Sequence, residues 1–214
     1  DCLLSRGLGD VYKRQWLPTL MEYLHDAYPA LMVEIQVDTT TMLKTQLASR
    51  QIDLAFLLGP MEEPRVENLY LCNYPLSWVA SPKLKVGRLP ISLKRLAQWP
   101  VITYSSTTDP HRAVRQLLLQ AGVDSPRMYG SSALSVIVRM ALDGIGTAVI
   151  APVILHKELV QGELRLLDVK APALPPLHYT ACWMQGPDSQ VPRAVAEAAQ
   201  QIAREEALRH PAKP

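Results

Sequence analysis

The amino-acid sequence predicts an α/β chain of two small parallel-sheet subdomains. Two series of alternating strand and helix patterns succeed each other along the chain, as expected where helices pack on parallel sheets. Short uninterrupted apolar runs such as Leu54–Leu58, stopped by Gly59-Pro60, read as strands. One complete strand, helix, strand unit, YGSSALSVIVRMALDGIGTAVIAP over residues 129–152, anchors the second series.

The chain begins with a stretch unlike the rest. SRGLGDVYKRQ at 5–15 has no apolar period and looks like the translated read-through of a sequencing adapter, the alternative being an ordinary frayed N-terminus. A non-native tail over 1–15 is therefore expected, on a fragment whose natural upstream part is missing. From Leu17 the period is helical. Leu17, Leu20, Met21, Leu24 and Tyr28 share a face, Pro18 stands in the first turn and Pro29 just past the end. Val33, Ile35 and Val37 then alternate with Glu34 and Gln36 as a strand, 42–49 makes a short helix, and Leu54–Leu58 is the next strand. That spacing means a parallel pair with a right-handed crossover. An exposed loop starts at Gly59-Pro60.

The second series has strands at 76–80 and Val101–Tyr104, then a helix carrying Val114, Leu117, Leu118 and Ala121 and ended by Gly122. A strand at 127–129, a helix over 132–143, and strands at Thr147–Ile150 and 164–169 follow. Leu134, Ile137, Val138, Ala141 and Leu142 fall at i, i+3, i+4, i+7 and i+8, painting one helix face apolar. Ser131 or Ser132 sits where an N-cap belongs, and Asp143-Gly144 closes the helix. A late strand at 179–184 precedes a final helix lined by Val191, Val195, Ala198, Ala199 and Ile202; 210–214 is expected to be disordered.

Composition narrows the function classes. The 48% hydrophobic content suffices for one or two sizeable cores, and 22 basic against 20 acidic residues form no Lys/Arg block, so no nucleic-acid footprint is visible. No apolar run reaches the roughly 18 residues a membrane helix needs. Cys72 and Cys182 lack CxxC spacing and read as reduced thiols packed in a cytosolic protein. No GxSxG elbow, P-loop or HExxH occurs, and Gly144-Ile145-Gly146 opens a strand, the reverse of a dinucleotide fingerprint. No catalytic residue, metal site or cofactor is expected.

The candidate site lies at strand ends, where ligands bind in open α/β sheets. Thr103, Tyr104, Ser105, Ser106, Thr107 and Thr108 follow a buried strand and precede a helix, with His111 and Arg112 in its first turn. Arg112 can clamp a carboxylate in two parallel bonds. The helix after Ser131 and Ser132 points its first N–H groups at one spot, a natural seat for an anion or polar ligand. Asp38-Thr39-Thr40-Thr41 and Gly59-Pro60 end strands in the first series. The plain alternative is that these hydroxyls only cap helices in solvated loops.

Four stretches carry a family resemblance: LPTLMEYLHDAYPALMVEIQV, LASRQIDLAFLLGP, WPVITYSSTTDPHRAVRQLLLQAGV and SSALSVIVRMALDGIGTAVIAP. Together, over residues 17–208, they resemble the effector-binding domain of LysR-type transcriptional regulators. The resemblance implies two flavodoxin-like subdomains joined by crossing strands, of periplasmic-binding-protein type II kind. Subdomain I would hold 16–79 and 183–209, and subdomain II 80–182. It further implies a small-molecule effector in the cleft between them, facing the 103–108 loop and Thr39, and a homodimer or homotetramer in the cytoplasm. DNA would be bound only through a winged helix-turn-helix domain absent from this sequence, and the family's first strand and Ser/Thr-rich loop should precede Leu17. The expected effector contacts are thus Thr39, Thr40, Gly59, Pro60, Thr103, Ser105, Ser106, Thr107, Thr108, His111, Arg112, Ser131 and Ser132. A small organic acid suits them, with sugars and amino acids also open. The rival readings are a secreted solute-binding protein of a transporter and an enzyme on the same two-lobed fold. Loss of the first strand would leave a gap in sheet I that Gly9 to Tyr12 fill poorly, exposing edges through which the fragment aggregates.

Overall fold

A computed structural model of the chain describes residues 2–7 and 16–209. These form two units, Asp1–Asn73 with Leu177–Pro214, and Tyr74–Pro176. The first unit opens with β1 (Cys2–Gly7), α1 (Leu17–Ala27), β2 (Val33–Asp38), α2 (Thr40–Ala48), β3 (Leu54–Leu58) and β4 (Val66–Tyr74). The second holds β5 (Ser77–Ala80), β6 (Ile91–Ser92), α3 (Leu93–Leu96), β7 (Val101–Tyr104), α4 (Asp109–Gln120), β8 (Met128–Ser131), α5 (Leu134–Leu142), β9 (Thr147–Ile150), α6 (His156–Val160), β10 (Arg165–Leu166) and β11 (Val169–Lys170). The chain then returns to the first unit with β12 (Leu177–Met184) and α7 (Gln190–Arg209).

The first sheet has the order β2-β1-β3-β12-β4. Its β3 is apolar throughout because both faces are covered: Leu54, Ala55, Phe56 and Leu57 are fully buried. Trp16 meets Phe56 edge to face, ring centroids 5.2 Å apart. Leu43 and Leu47 of α2 join Ile52, Ala55, Leu57, Met61 and Cys182 in one core cluster. Leu20 and Leu24 bury the α1 face that the sequence marks, whereas Tyr28 stays exposed. On α7 Pro192, Val195, Ala196, Ala199 and Ala203 are buried; Val191 lies outward.

Four expectations are corrected here. The first strand expected to be lost is present: Cys2–Gly7, within the stretch expected to be a non-native tail, forms the parallel strand β1, running from Cys2↔Val33 to Gly7↔Asp38 on one side and Leu4↔Leu54 to Arg6↔Phe56 on the other. A slot between two strands offers unpaired N–H and C=O groups on both edges, and an extended backbone satisfies them without regard to side-chain pattern. The edges invoked for aggregation are therefore paired; Gly9 to Tyr12 lie outside the described residues. The sheets are mixed, since β12 pairs antiparallel with β3 and β5 antiparallel with β9. The segment after Pro60 includes β4, which the sequence left as loop. The single strand expected at 164–169 is two short ones, β10 on β5 and β11 on β6.

The units divide after Asn73 and Pro176, a few residues before the boundaries expected at 79/80 and 182/183. All of β12 is claimed by the first sheet, because Tyr179 to Trp183 pair with β3.

The second sheet, β10-β5-β9-β7-β8, carries the strand, helix, strand unit. Leu134, Ile137 and Ala141 bury the expected α5 face. Gly144 (φ +72°) ends the helix: its N–H reaches Ala141 O at 3.1 Å and the next, Ile145, reaches Met140 O at 3.1 Å, the paired bonds of a Schellman motif. Gly146 is required for another reason. A Cβ there would stand 2.1 Å from the Pro100 carbonyl oxygen.

Candidate functional site

Strands β7 and β8 run parallel in the register Val101↔Met128, Ile102↔Tyr129, Thr103↔Gly130 and Tyr104↔Ser131. Parallel strands bring their carboxyl ends to the same edge, so the loop into α4 and the turn into α5 emerge side by side. Glycine at 130 makes their approach close: a Cβ would lie 3.0 Å from Tyr104 O and 3.5 Å from Ser106 N. Sequence reasoning passed over Gly130, although a glycine inside a strand marks close backbone approach.

The 105–108 loop is a hydroxyl-lined turn. Ser105 O accepts from Thr108 N at 2.9 Å and from Thr108 Oγ1 at 2.7 Å. The Ser105 and Thr107 hydroxyls stand 3.4 Å apart. Ser106 and Thr107 are exposed, Ser105 and Thr108 half-buried. Thr108 is the N-cap residue of α4, yet its side chain makes no cap bond. Helix α4 thus meets the loop with first-turn N–H groups that no Thr108 hydroxyl occupies. On the neighbouring strand Ser131 Oγ accepts from Ala133 N at 3.1 Å. The N-cap of α5 is Ala133, not Ser131 or Ser132, and Ser132 is exposed.

Two expected members behave differently. Thr103 is fully buried and donates to Val149 O at 3.4 Å, across the sheet interior. It belongs to the core of the unit and has no surface to offer a ligand. Arg112 does not project as an open clamp: its Nη1 donates to Thr107 O at 2.9 Å and its Nη2 to the Asp109 carboxylate. Asp109, three residues earlier on the same helix face, is the partner that sequence reasoning missed. Arg112 therefore braces the loop. His111 is half-buried; desolvation, with Arg115 adding to it, pushes its imidazole below the usual value. Beneath the loop, burial pushes the Tyr104 phenol up, with the Ala151 backbone opposing.

In the first unit Thr39 caps α2, its Oγ1 accepting from Met42 N at 3.3 Å, while its own N–H donates to Asp38 Oδ1 at 2.6 Å. Thr40, the first residue of α2, is half-buried. Gly59 (φ +73°) ends β3 and donates to His178 O at 2.8 Å. Pro60 is exposed, and its carbonyl accepts from Lys44 Nζ at 3.2 Å. These four stand at the same strand-end position in their unit as the hydroxyl turn does in the other. Among the described residues no group of three or more His, Cys, Asp or Glu is placed to hold a metal ion. None of their helices is long and apolar enough to cross a membrane.

Residues 7–205 match the family model of the LysR substrate binding domain, and the chain belongs to that family. Its curated relatives include the HTH-type transcriptional regulator DgdR of Burkholderia cepacia, 27% identical over 89% of this chain and 61% of the relative. The HTH-type transcriptional activator CmpR of Synechocystis is 24% identical over 73% of this chain and 52% of its own length. The chain thus spans between half and two thirds of these relatives. Among solved structures, the Synechocystis CcmR regulatory domain in complex with 2-PG superposes with a TM-score of 0.77 at 18% identity, covering 95% of this chain and 97% of that one. The regulatory domain of HypT from Salmonella typhimurium, in its apo form, gives 0.76 at 18%, with 95% of each chain covered. The fold is that of LysR-type regulatory domains, the periplasmic-binding-protein type II architecture.

Proposed function

We propose that this chain is the effector-sensing part of a LysR-type DNA-binding transcriptional regulator, and that a small polar molecule docks on the hydroxyl turn of the Tyr74–Pro176 unit. The observation that carries the reading is the β7–β8 register, which brings Ser105, Ser106, Thr107, Ser131 and Ser132 to one edge. Each hydroxyl donates or accepts as the ligand requires. A buried hydroxyl left unpaired by a wrong ligand costs about 1–3 kcal/mol, which supplies discrimination. Thr39, Thr40, Gly59 and Pro60 are the corresponding ligand contacts in the first unit. In the whole protein, a cytoplasmic homodimer or homotetramer, the ligand biases one of two arrangements and so transcription. A swing from 1:99 to 99:1 requires about 5.5 kcal/mol of differential affinity.

The test is a thermal-shift screen of this chain against small organic acids, sugars and amino acids, followed by calorimetry on the hits. A true effector at a hundred times its Kd stabilises by about 2.7 kcal/mol. Ser106→Ala and Thr107→Val are expected to reduce that shift. Unchanged affinity in both variants would remove the ligand from this turn.

A further inference from the structure

The segment from Ser81 to Leu96, SPKLKVGRLPISLKRL, contains five basic residues and no acidic one. They are not consecutive, which is why no Lys/Arg block is visible in the sequence. The structure sorts them. Leu84, Val86, Ile91, Leu93 and Leu96 are all buried at 7% exposure or less, while Lys83, Lys85, Arg88, Lys94 and Arg95 are all exposed. Five apolar anchors thus fix the segment to its unit and turn every cation outward. Of 22 basic residues these are five, leaving 17 against 20 acidic ones, so the positive balance of the chain resides in this strip.

Local geometry holds the strip together. Arg95 folds over Gly87, its Nη2 2.8 Å from where a Cβ would stand, and Lys94 Nζ lies 3.1 Å from the same position at Gly122. Ser92 caps α3 by accepting from Arg95 N at 3.4 Å. The β6–β11 register sets Lys170 opposite Ser92, adding a sixth cation from a distant part of the sequence. Lys83 Nζ bonds Leu142 O at 3.1 Å. Acids flank the strip at two places: Asp168, whose backbone carbonyl takes the Ile91 N–H, and Asp143, next in sequence to the Leu142 carbonyl that Lys83 holds.

We infer that this cationic strip of the Tyr74–Pro176 unit is a contact surface for the phosphate backbone of duplex DNA. Its outward residues, prolines, a glycine and a serine among the cations, include no large apolar side chain. A protein partner is met through an apolar and aromatic centre, whereas a nucleic-acid interface is polar and densely positive. The inference rests on the chain being part of a DNA-binding regulator, which brings a duplex within reach of this unit. The contacts read no sequence; they position the protein and add salt-sensitive affinity.

The experiment measures fluorescence anisotropy of a labelled 30-base-pair duplex of arbitrary sequence titrated with this chain at several salt concentrations. Each phosphate contact contributes about −0.9 to the slope of log K against log salt, so three to five contacts give roughly −3 to −4.5. Arg88→Gln, Lys94→Gln and Arg95→Gln together are expected to raise Kd at least about tenfold at low salt and flatten the slope. The corresponding Glu triple should abolish binding. A control triple elsewhere, Arg115→Gln, Lys157→Gln and Arg193→Gln, is expected to change Kd less than about twofold. No binding at low salt, or an equal loss in the control, overturns the inference. So does polyglutamate that competes as well as unlabelled duplex at equal charge, which would assign the strip to an acidic protein. The ligand screen needs no DNA, so its outcome is independent.

Discussion

The backbone of Gly130 lies so close to that of Tyr104 that a Cβ at 130 would stand 3.0 Å from the Tyr104 carbonyl oxygen, a contact that only a small backbone shift could relieve. That close approach ties the turn bearing Ser131 and Ser132 to the loop bearing Ser105 to Thr108. Gly130→Val is therefore expected to push the two strand ends apart. It should weaken ligand binding more than it lowers global stability, for which a loss of about 1–2 kcal/mol in urea unfolding is expected. Equal binding by Gly130→Val would show that the two loops do not act together.

Gly146 supplies the contrast. Its missing Cβ would meet a carbonyl oxygen at 2.1 Å, with backbone rather than a flexible tip in the way. Gly146→Ala is expected to cost about 2–4 kcal/mol, well above Gly130→Ala, because strand β9 must move. Paired denaturation curves of the two alanine variants check the order.

Thr103 and Thr107 should separate cleanly. Thr103→Val removes a bond to the Val149 carbonyl inside the sheet, costing about 1 kcal/mol of stability and leaving affinity for a bound ligand intact. Thr107→Val, on an exposed side chain, should do the reverse. Calorimetric Kd beside a urea midpoint for each variant decides this.

Arg112 and Asp109 form an exposed pair three residues apart, worth no more than about 0.5 kcal/mol. Arg112→Ala should leave far-UV circular dichroism and stability nearly unchanged while loosening the Thr107 carbonyl it holds. Any fall in ligand affinity then reports on the loop. An unfolded Arg112→Ala would contradict the small value assigned to the pair.

Alkaline pH should destabilise the chain. Desolvation pushes the Cys182 thiol up to about 12, opposed by the Met61 backbone and Lys44, and burial raises the Tyr104 phenol as well. The folded-state values exceed the unfolded ones, so the stabilisation is complete below the unfolded pKa and is lost as pH climbs toward the folded one. For Cys182 that window runs from about 9 to about 12. Each unmatched proton steepens the fall by about 1.4 kcal/mol per pH unit. Urea unfolding from pH 8 to 10.5 should show the slope, and Cys182→Ala should reduce it. The same burial predicts that a thiol reagent at pH 8 labels Cys182 only on unfolding.

Much of this was legible before any coordinates. Leu134, Ile137 and Ala141 fixed α5 because helix period and burial coincide there. The run Leu54–Leu58 announced a strand, and the structure buries its first four residues. Thr103 was misread for the same physical reason: all four residues of Val101–Tyr104 are buried, so alternation along the strand says nothing about which side chains face outward. β4 escaped notice because its buried residues, Leu71, Cys72 and Tyr74, follow no simple alternation. β1 was missed because a central slot selects for an extended backbone, and backbone leaves no composition signal. The tie between Arg112 and Asp109 was visible as an i, i+3 pair, but the pull of a carboxylate clamp masked it.

The strand order also dictates a sequence of events on the ribosome. The Tyr74–Pro176 unit is one unbroken length of chain, and every strand of its sheet has been made once Leu166 emerges. The other sheet waits for Leu177–Met184 to insert between β3 and β4, more than a hundred residues after β3 was synthesised. Until then the nascent chain holds a closed unit beside an open one, and β3 has an unfilled edge for a chaperone, or another nascent copy, to occupy.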